Sequence, residues 1–149
     1  LSEEHVAATR FAVAAAGTRA VARRATVTVA GFGRTDDVAM LPPTLTYPRH
    51  LAVGMRWQQH YRLRALVVTS KVRILRRAVV SVAGHDVPVF VISTTAAITG
   101  PLPGHRTDID WFAPSLGVPA RLRINMHISG TASLDMHLDM RLASLGVAR

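Results

Sequence analysis

The sequence predicts an all-β protein, a curved antiparallel meander closing as a half-barrel, a barrel or a sandwich. Three observations carry this expectation. Residues 121–142 alternate apolar and polar with period two, turn compositions separate the β-branched runs before them, and no stretch makes a sound helix apart from one short N-terminal competitor.

At the N-terminus, Ser2-Glu3-Glu4 and the Ala-rich sequence up to Gly17 offer a helix start and stop, with acids in the first turn. Val6, Phe11 and Val13, however, make neither a helical stripe nor clean alternation. Residues 19–30, RAVARRATVTVA, end in a β-branched run and read as a strand. Two readings of 1–39 therefore stand side by side: a hairpin of 5–15 with 19–30, or a helix plus one strand. GFGR at 31–34 reads as a bend, because the further glycines of a phosphate loop are missing. Residues 40–48, MLPPTLTYP, hold three prolines and are expected as an extended crossover.

The meander proper is expected over 55–145. Tyr61 to Ser70 and Lys71 to Arg77 interleave Val, Leu and Ile with Arg, a strand pattern. Val79 to Val82 and Val87 to Ile92 flank the turn Ala83-Gly84-His85-Asp86. The chain reverses again at Gly100-Pro101-Leu102-Pro103-Gly104, and Thr107 to Phe112 returns as a strand. Leu122, Ile124, Met126 and Ile128 then alternate with Arg121, Arg123, Asn125 and His127, and a second run from Leu134 to Leu142 does the same. Like faces must pair, so opposite residues must sum to an even number. Pairing Ile128 with Leu134 leaves Gly130-Thr131-Ala132 as the loop, sets Met126 against Met136 and Ile124 against Leu138, and places Arg123 opposite Asp139 and His127 opposite Asp135.

With 149 residues the chain is expected to fold as one domain over 1–149. No apolar run approaches the roughly 18–20 residues that span a bilayer as a helix. The sequence opens at Leu1 and reads as a mature form or fragment, any export signal or anchor lying upstream. The absence of cysteine removes disulfides, thiolate catalysis and Cys-ligated zinc together. The net charge of +9 is carried by seventeen Arg and one Lys, and no acid falls between Val38 and His85. Arg62, Arg64, Lys71, Arg73, Arg76 and Arg77 in that interval are the candidate polyanion-binding residues. The aromatics make no row of stacking platforms among them, so nucleic acid is not expected as a partner, while an anionic membrane surface fits the charge.

Asp108 and Asp110 share one strand face, as paired carboxylates for acid–base work or a hard cation would. Ion pairing with Arg121 and Arg123 of the next strand is the expected explanation. His127, His137 and Asp135 outline a two-His, one-Asp surface constellation, but no further ligand or motif marks it as a metal site. Nucleophilic catalysis lacks any Gly-x-Ser-x-Gly stretch. No catalytic residue, metal or cofactor is expected. The apolar face of Met126, Ile128, Leu134, Met136, Leu138 and Met140 is the candidate ligand surface, since methionine adapts to irregular apolar shapes.

YPRHLAVGMRW (47–57), SVAGHDVPVFVISTTAAITG (81–100) and RTDIDWFAPSLGVPARLRIN (106–125) together resemble the strand-and-corner motifs of bacterial cell-envelope β-proteins. These are secreted or lipid-anchored proteins of uncharacterised role, akin to lipoprotein-carrier half-barrels. The resemblance spans about residues 40–145. It implies an exported, cell-envelope or extracellular location and an open β-cup, favours the N-terminal hairpin over the helix, and carries over no catalytic residue. The arginine load on 60–77 departs from it. The expected function is thus a non-enzymatic module holding a lipid or other amphiphile on its apolar face. The alternatives are a structural module that binds another protein chain or a second copy, and weak polyanion binding through the 49–77 arginines.

Overall fold

A computed structural model describes residues 3–29, 32–130 and 133–145. Gly31 of the expected bend and Thr131 and Ala132 of the expected 130–132 loop lie outside the described residues. Nine strands run in series: β1 Glu3–Ala14, β2 Gly17–Val29, β3 Phe32–Pro48, β4 Arg56–Leu63, β5 Leu66–Val82, β6 His85–Thr99, β7 Gly104–Ala113, β8 Val118–Ile128 and β9 Leu134–Arg141. Each pairs antiparallel with the next in one sheet of order β1 to β9, and the sheet curls into a half-barrel with no helix among the described residues. The N-terminal segment is the hairpin, with Ala14 opposite Gly17. Residues 40–48 are extended, as their prolines require, and form the second half of β3. The β8–β9 register matches the parity expectation at every pair from Ile128–Leu134 to Arg121–Arg141.

The curl has local causes. Register shifts interrupt β1–β2, β2–β3, β5–β6 and β7–β8, and each such bulge bends its strand and increases the local twist. The curvature brings β2 and β3 across the concave face, where Ala20 and Met40 pack with Tyr61 of β4, Val68 of β5 and Ala96 and Ile98 of β6. Tyr47, Val72, Ile74, Ile92 and Phe112 form the adjoining part of that core. The Tyr47 and Phe112 rings stack with centroids 4.0 Å apart. The seam is narrow: β3 meets β4 through one ladder pair, Leu41 with Arg62. Gln59 reinforces it by donating Nε2 to the Leu45 carbonyl at 2.9 Å.

The bulge between Ile74 and Arg76 has a second effect. Ile74 faces Ile92 on the concave side, but Arg76 faces Val91, so the side-chain alternation inverts beyond Leu75. The far arm of the β5–β6 hairpin therefore presents Val82, Val87 and Val89 to the opposite face, where they pack on Ala113 and Ala120 with Trp111 at the margin. Phe112 and Trp111 thus anchor the β7–β8 corner to two different cores.

Candidate functional site

Strand β7 sends Arg106, Asp108, Asp110 and Phe112 to the concave face, because alternate residues share a face. Their β8 neighbours there are Met126 beside Arg106, Ile124 beside Asp108 and Leu122 beside Asp110. The expected pairing of Asp108 and Asp110 with Arg121 and Arg123 is therefore wrong. Arg123 lies opposite Ile109 and Arg121 opposite Trp111, on the convex face. Both arginines pair instead with Asp139, at 2.6 Å for Arg121 and 3.5 Å for Arg123. Parity forces this outcome, since a one-residue offset would turn every side chain to the wrong side.

Inside the cup, Arg106 Nη2 lies 3.0 Å from Asp108 Oδ2, and the Tyr47 hydroxyl donates to Asp110 Oδ2 at 3.0 Å. The Oδ1 atoms of both aspartates and Nε of Arg106 are buried without a protein partner. They adjoin a cavity of about 100 Å³ lined also by Arg23, Met40, Thr44, Gln59 and Tyr61, polar and roomy enough to admit water. Burial, and then the charge of Asp108, push the Asp110 carboxyl up to about 7, against the Tyr47 hydrogen bond and Arg106. Burial also raises Asp108, outweighing Arg106 and Arg23. Burial and the neighbouring Asp110 raise the Tyr47 hydroxyl well above its usual range. Burial opposes the charge on Arg106, yet Asp108 and Tyr61 more than offset it.

The Tyr47 ring connects this cluster to a larger opening at the end of the cup. A pocket of about 550 Å³ opens between the β1–β2 turn, the end of β3, Phe90 and the β7–β8 corner. Val13, Tyr47, Leu51, Phe90 and Phe112 supply its apolar lining, and Arg49 sits on its rim. Among the described residues no carboxylate pairs with the exposed Arg49 side chain, whose backbone NH bonds the Ala16 carbonyl at 3.1 Å. Gly17 is obligatory in the wall: its φ is +134°, and a Cβ there would meet the Tyr47 carbonyl oxygen at 2.2 Å. This volume falls within the roughly 300–1,000 Å³ typical of small-molecule sites.

The residues singled out from sequence distribute differently. On the apolar face, Met126 packs against the core with Leu63 and Leu66. Ile128 and Leu138 are half-buried, while Leu134, Met136 and Met140 are exposed along the β9 margin. The six basic residues are all exposed but do not make one patch. Lys71 and Arg73 line a groove on the convex face, whereas Arg77 lies over the Phe90 ring, 5.5 Å from its centroid. His127 binds Asp135 at 2.6 Å through Nδ1 and Ser129 at 3.2 Å through Nε2. His137 bonds Asn125. Among the described residues no group of three metal-ligating side chains forms. The sequence marks Arg49 only as one of the 49–77 arginines and does not single out Tyr47, Phe90 or Arg106 as site residues, although parity places Arg106 on the face of Asp108.

The class defined so far is an open antiparallel half-barrel with an apolar mouth beside a buried charge cluster. No family model, curated protein or solved structure matches this chain.

Proposed function

We propose that the protein is a non-catalytic binding module for an anionic amphiphile, whose apolar body enters the mouth of the half-barrel while its acid group meets Arg49. The observation that carries this reading is the aromatic-lined pocket of about 550 Å³ with Arg49 at its rim, whose side chain pairs with no carboxylate among the described residues. The charge cluster behind Tyr47 closes the inner end, because an apolar chain gains nothing by advancing onto ionised groups that it cannot solvate. The reading moves the ligand from the β8–β9 face to the mouth. The bare residues of β9 lie open at an edge, whereas the mouth offers walls on several sides, and burial on several sides is what binds a small ligand. An exported, cell-envelope setting fits this reading and draws its support from the three sequence motifs.

Titration with a fluorescent C11–C12 fatty acid tests it. Binding should weaken at least tenfold in Ala14→Trp, which fills the mouth, and severalfold in Arg49→Glu. Equal affinity in all three proteins would place the ligand elsewhere. A second reading, self-association through the exposed Leu134, Met136 and Met140, is tested by sedimentation velocity over a hundredfold concentration range.

A further inference from the structure

On the convex face, opposite the mouth, the ladder places Arg56 directly across from Arg73 and Gln58 across from Lys71. The same rows continue onto β6, with Ser93 beside Arg73 and Thr95 beside Lys71. Three strands thereby present a grid of two rows and three columns in which every side chain donates hydrogen bonds. These six residues, with Leu75 at the bulge, line an open groove of about 640 Å³.

Among the described residues nothing neutralises the grid. Between Arg56 and Ala113 the acids are Asp86, Asp108 and Asp110. Asp108 and Asp110 point into the cup, and Asp86 lies opposite Ser81 at the tip of the projecting hairpin. Among the described residues no ion pair or hydrogen bond engages the side chains of Arg56, Lys71 or Arg73. Like charges directly opposite each other destabilise a sheet. A protein that needed only a solvated face could place any polar residue at these positions.

We propose that this grid is a phosphate-binding site that holds a linear chain of phosphate groups along the convex groove. Neighbouring cations stand about 5 Å apart across the ladder and about 7 Å apart along β5, so alternate phosphates of a condensed chain, whose neighbouring phosphorus atoms share one bridging oxygen, reach successive cations. Arg56 and Arg73 supply planar forks, and Lys71 a point charge. Gln58, Ser93 and Thr95 donate to the remaining oxygens. Each internal phosphate of the chain offers two non-bridging oxygens and each terminal one three, repeated along the groove, whereas a lone carboxylate offers two oxygens in all. Trp57 also borders the groove, but it packs against the core of Tyr47, Val72, Ile74, Ile92 and Phe112, so the convex face reads the phosphates and offers an attached base no row of platforms.

The probe is a labelled inorganic polyphosphate of defined length, followed by fluorescence anisotropy at several salt concentrations, with single-stranded DNA and phosphatidylglycerol vesicles as comparators. The wild type should bind polyphosphate more tightly than DNA or vesicles. Arg56→Gln/Lys71→Gln/Arg73→Gln should lose at least tenfold in affinity, and the slope of log affinity against log salt should become shallower by about two. Arg62→Gln/Arg76→Gln, which changes basic residues outside the grid, should bind within about twofold of wild type. Equal losses in the two variants would show that net charge alone acts and would overturn the site. Preference for DNA, or for vesicles, would overturn the phosphate-chain assignment. Arg56→Gln alone should leave the thermal midpoint unchanged or raise it, because it relieves repulsion. A fall in that midpoint would show that Arg56 is structural and would contradict the proposal.

Discussion

The two faces of β7 and β8 carry the same chemistry to opposite ends. Inside the cup, Arg106 and Asp108 pair at 3.0 Å, with Asp110 held by Tyr47. Outside, Arg121 and Arg123 share Asp139 and lie over the Trp111 ring, 4.9 and 5.8 Å from its centroid. The inner carboxyls are raised, chiefly by burial. The outer Asp139 is held down to about 2, chiefly by its Arg121 hydrogen bonds. Solvent access decides which way an Arg–Asp pair moves a carboxyl, and strand parity decides which residues have solvent. A charge cluster that a small domain buries is held there by its surroundings, while the outer one sits where water would serve nearly as well.

The strongest way to break this comparison is to remove one partner on each face. Arg106→Met should cost about 3–5 kcal/mol in urea unfolding, because it leaves Asp108 buried with only the charge of Arg23 to offset it. Arg121→Met should move the midpoint little, with the remaining effect screened by added salt. Similar losses from both would show that the faces do not differ in kind.

The next contrast is in pH. The folded state holds the Asp110 proton up to about 7, while an unfolded aspartate releases it near pH ~4. Its contribution is therefore fully present below about pH 4 and is lost as pH rises to about 7, a change on the order of 4 kcal/mol. Asp139 has the opposite sign: its contribution is present above about pH 4 and is lost as pH falls towards 2. Asp110→Asn should flatten the limb between pH 4 and 7 while retaining an acceptor for Tyr47, as urea midpoints across that range would show. An unchanged limb would mean that Asp110 is ionised inside the cup.

A smaller effect sharpens the contrast between the covered and bare parts of the apolar face. Ile124→Ala should cost about 2–4 kcal/mol, since Ile124 is 4% exposed. Leu134→Gln should stay within about 0.5 kcal/mol of wild type, since Leu134 is 57% exposed. A comparable loss at Leu134 would show that something covers β9 in solution.

Much of the fold could be read from the chain because its determinants are local. Alternation and turn composition place the β5–β6 reversal within Ala83-Gly84-His85-Asp86, of which His85 and Asp86 belong to β6 and only Ala83-Gly84 make the turn, and they set every pair of β8–β9. The candidate site could not be read in the same way. The parity rule that fixes β8–β9 also puts Asp108 opposite an even-numbered residue, Ile124, whereas charge complementarity favours Arg123, which lies on the other face. The Tyr47–Asp110 bond spans 63 residues and depends on the curl, which arises from several bulges. The inversion beyond Leu75 is hidden because Arg76 and Arg77 are both exposed and obscure the change of face. Edge position, which leaves Leu134, Met136 and Met140 bare, is a property of the whole sheet and has no signature in β9 itself.

On the proposed function, the mouth beside Tyr47 and Phe112 holds the apolar body of an anionic amphiphile. Native mass spectrometry of protein expressed and purified without detergent tests it most directly. A discrete adduct of a few hundred daltons on the wild type, absent from Ala14→Trp, is the predicted result; the bare polypeptide mass for both proteins, even after incubation with excess fatty acid, would contradict it.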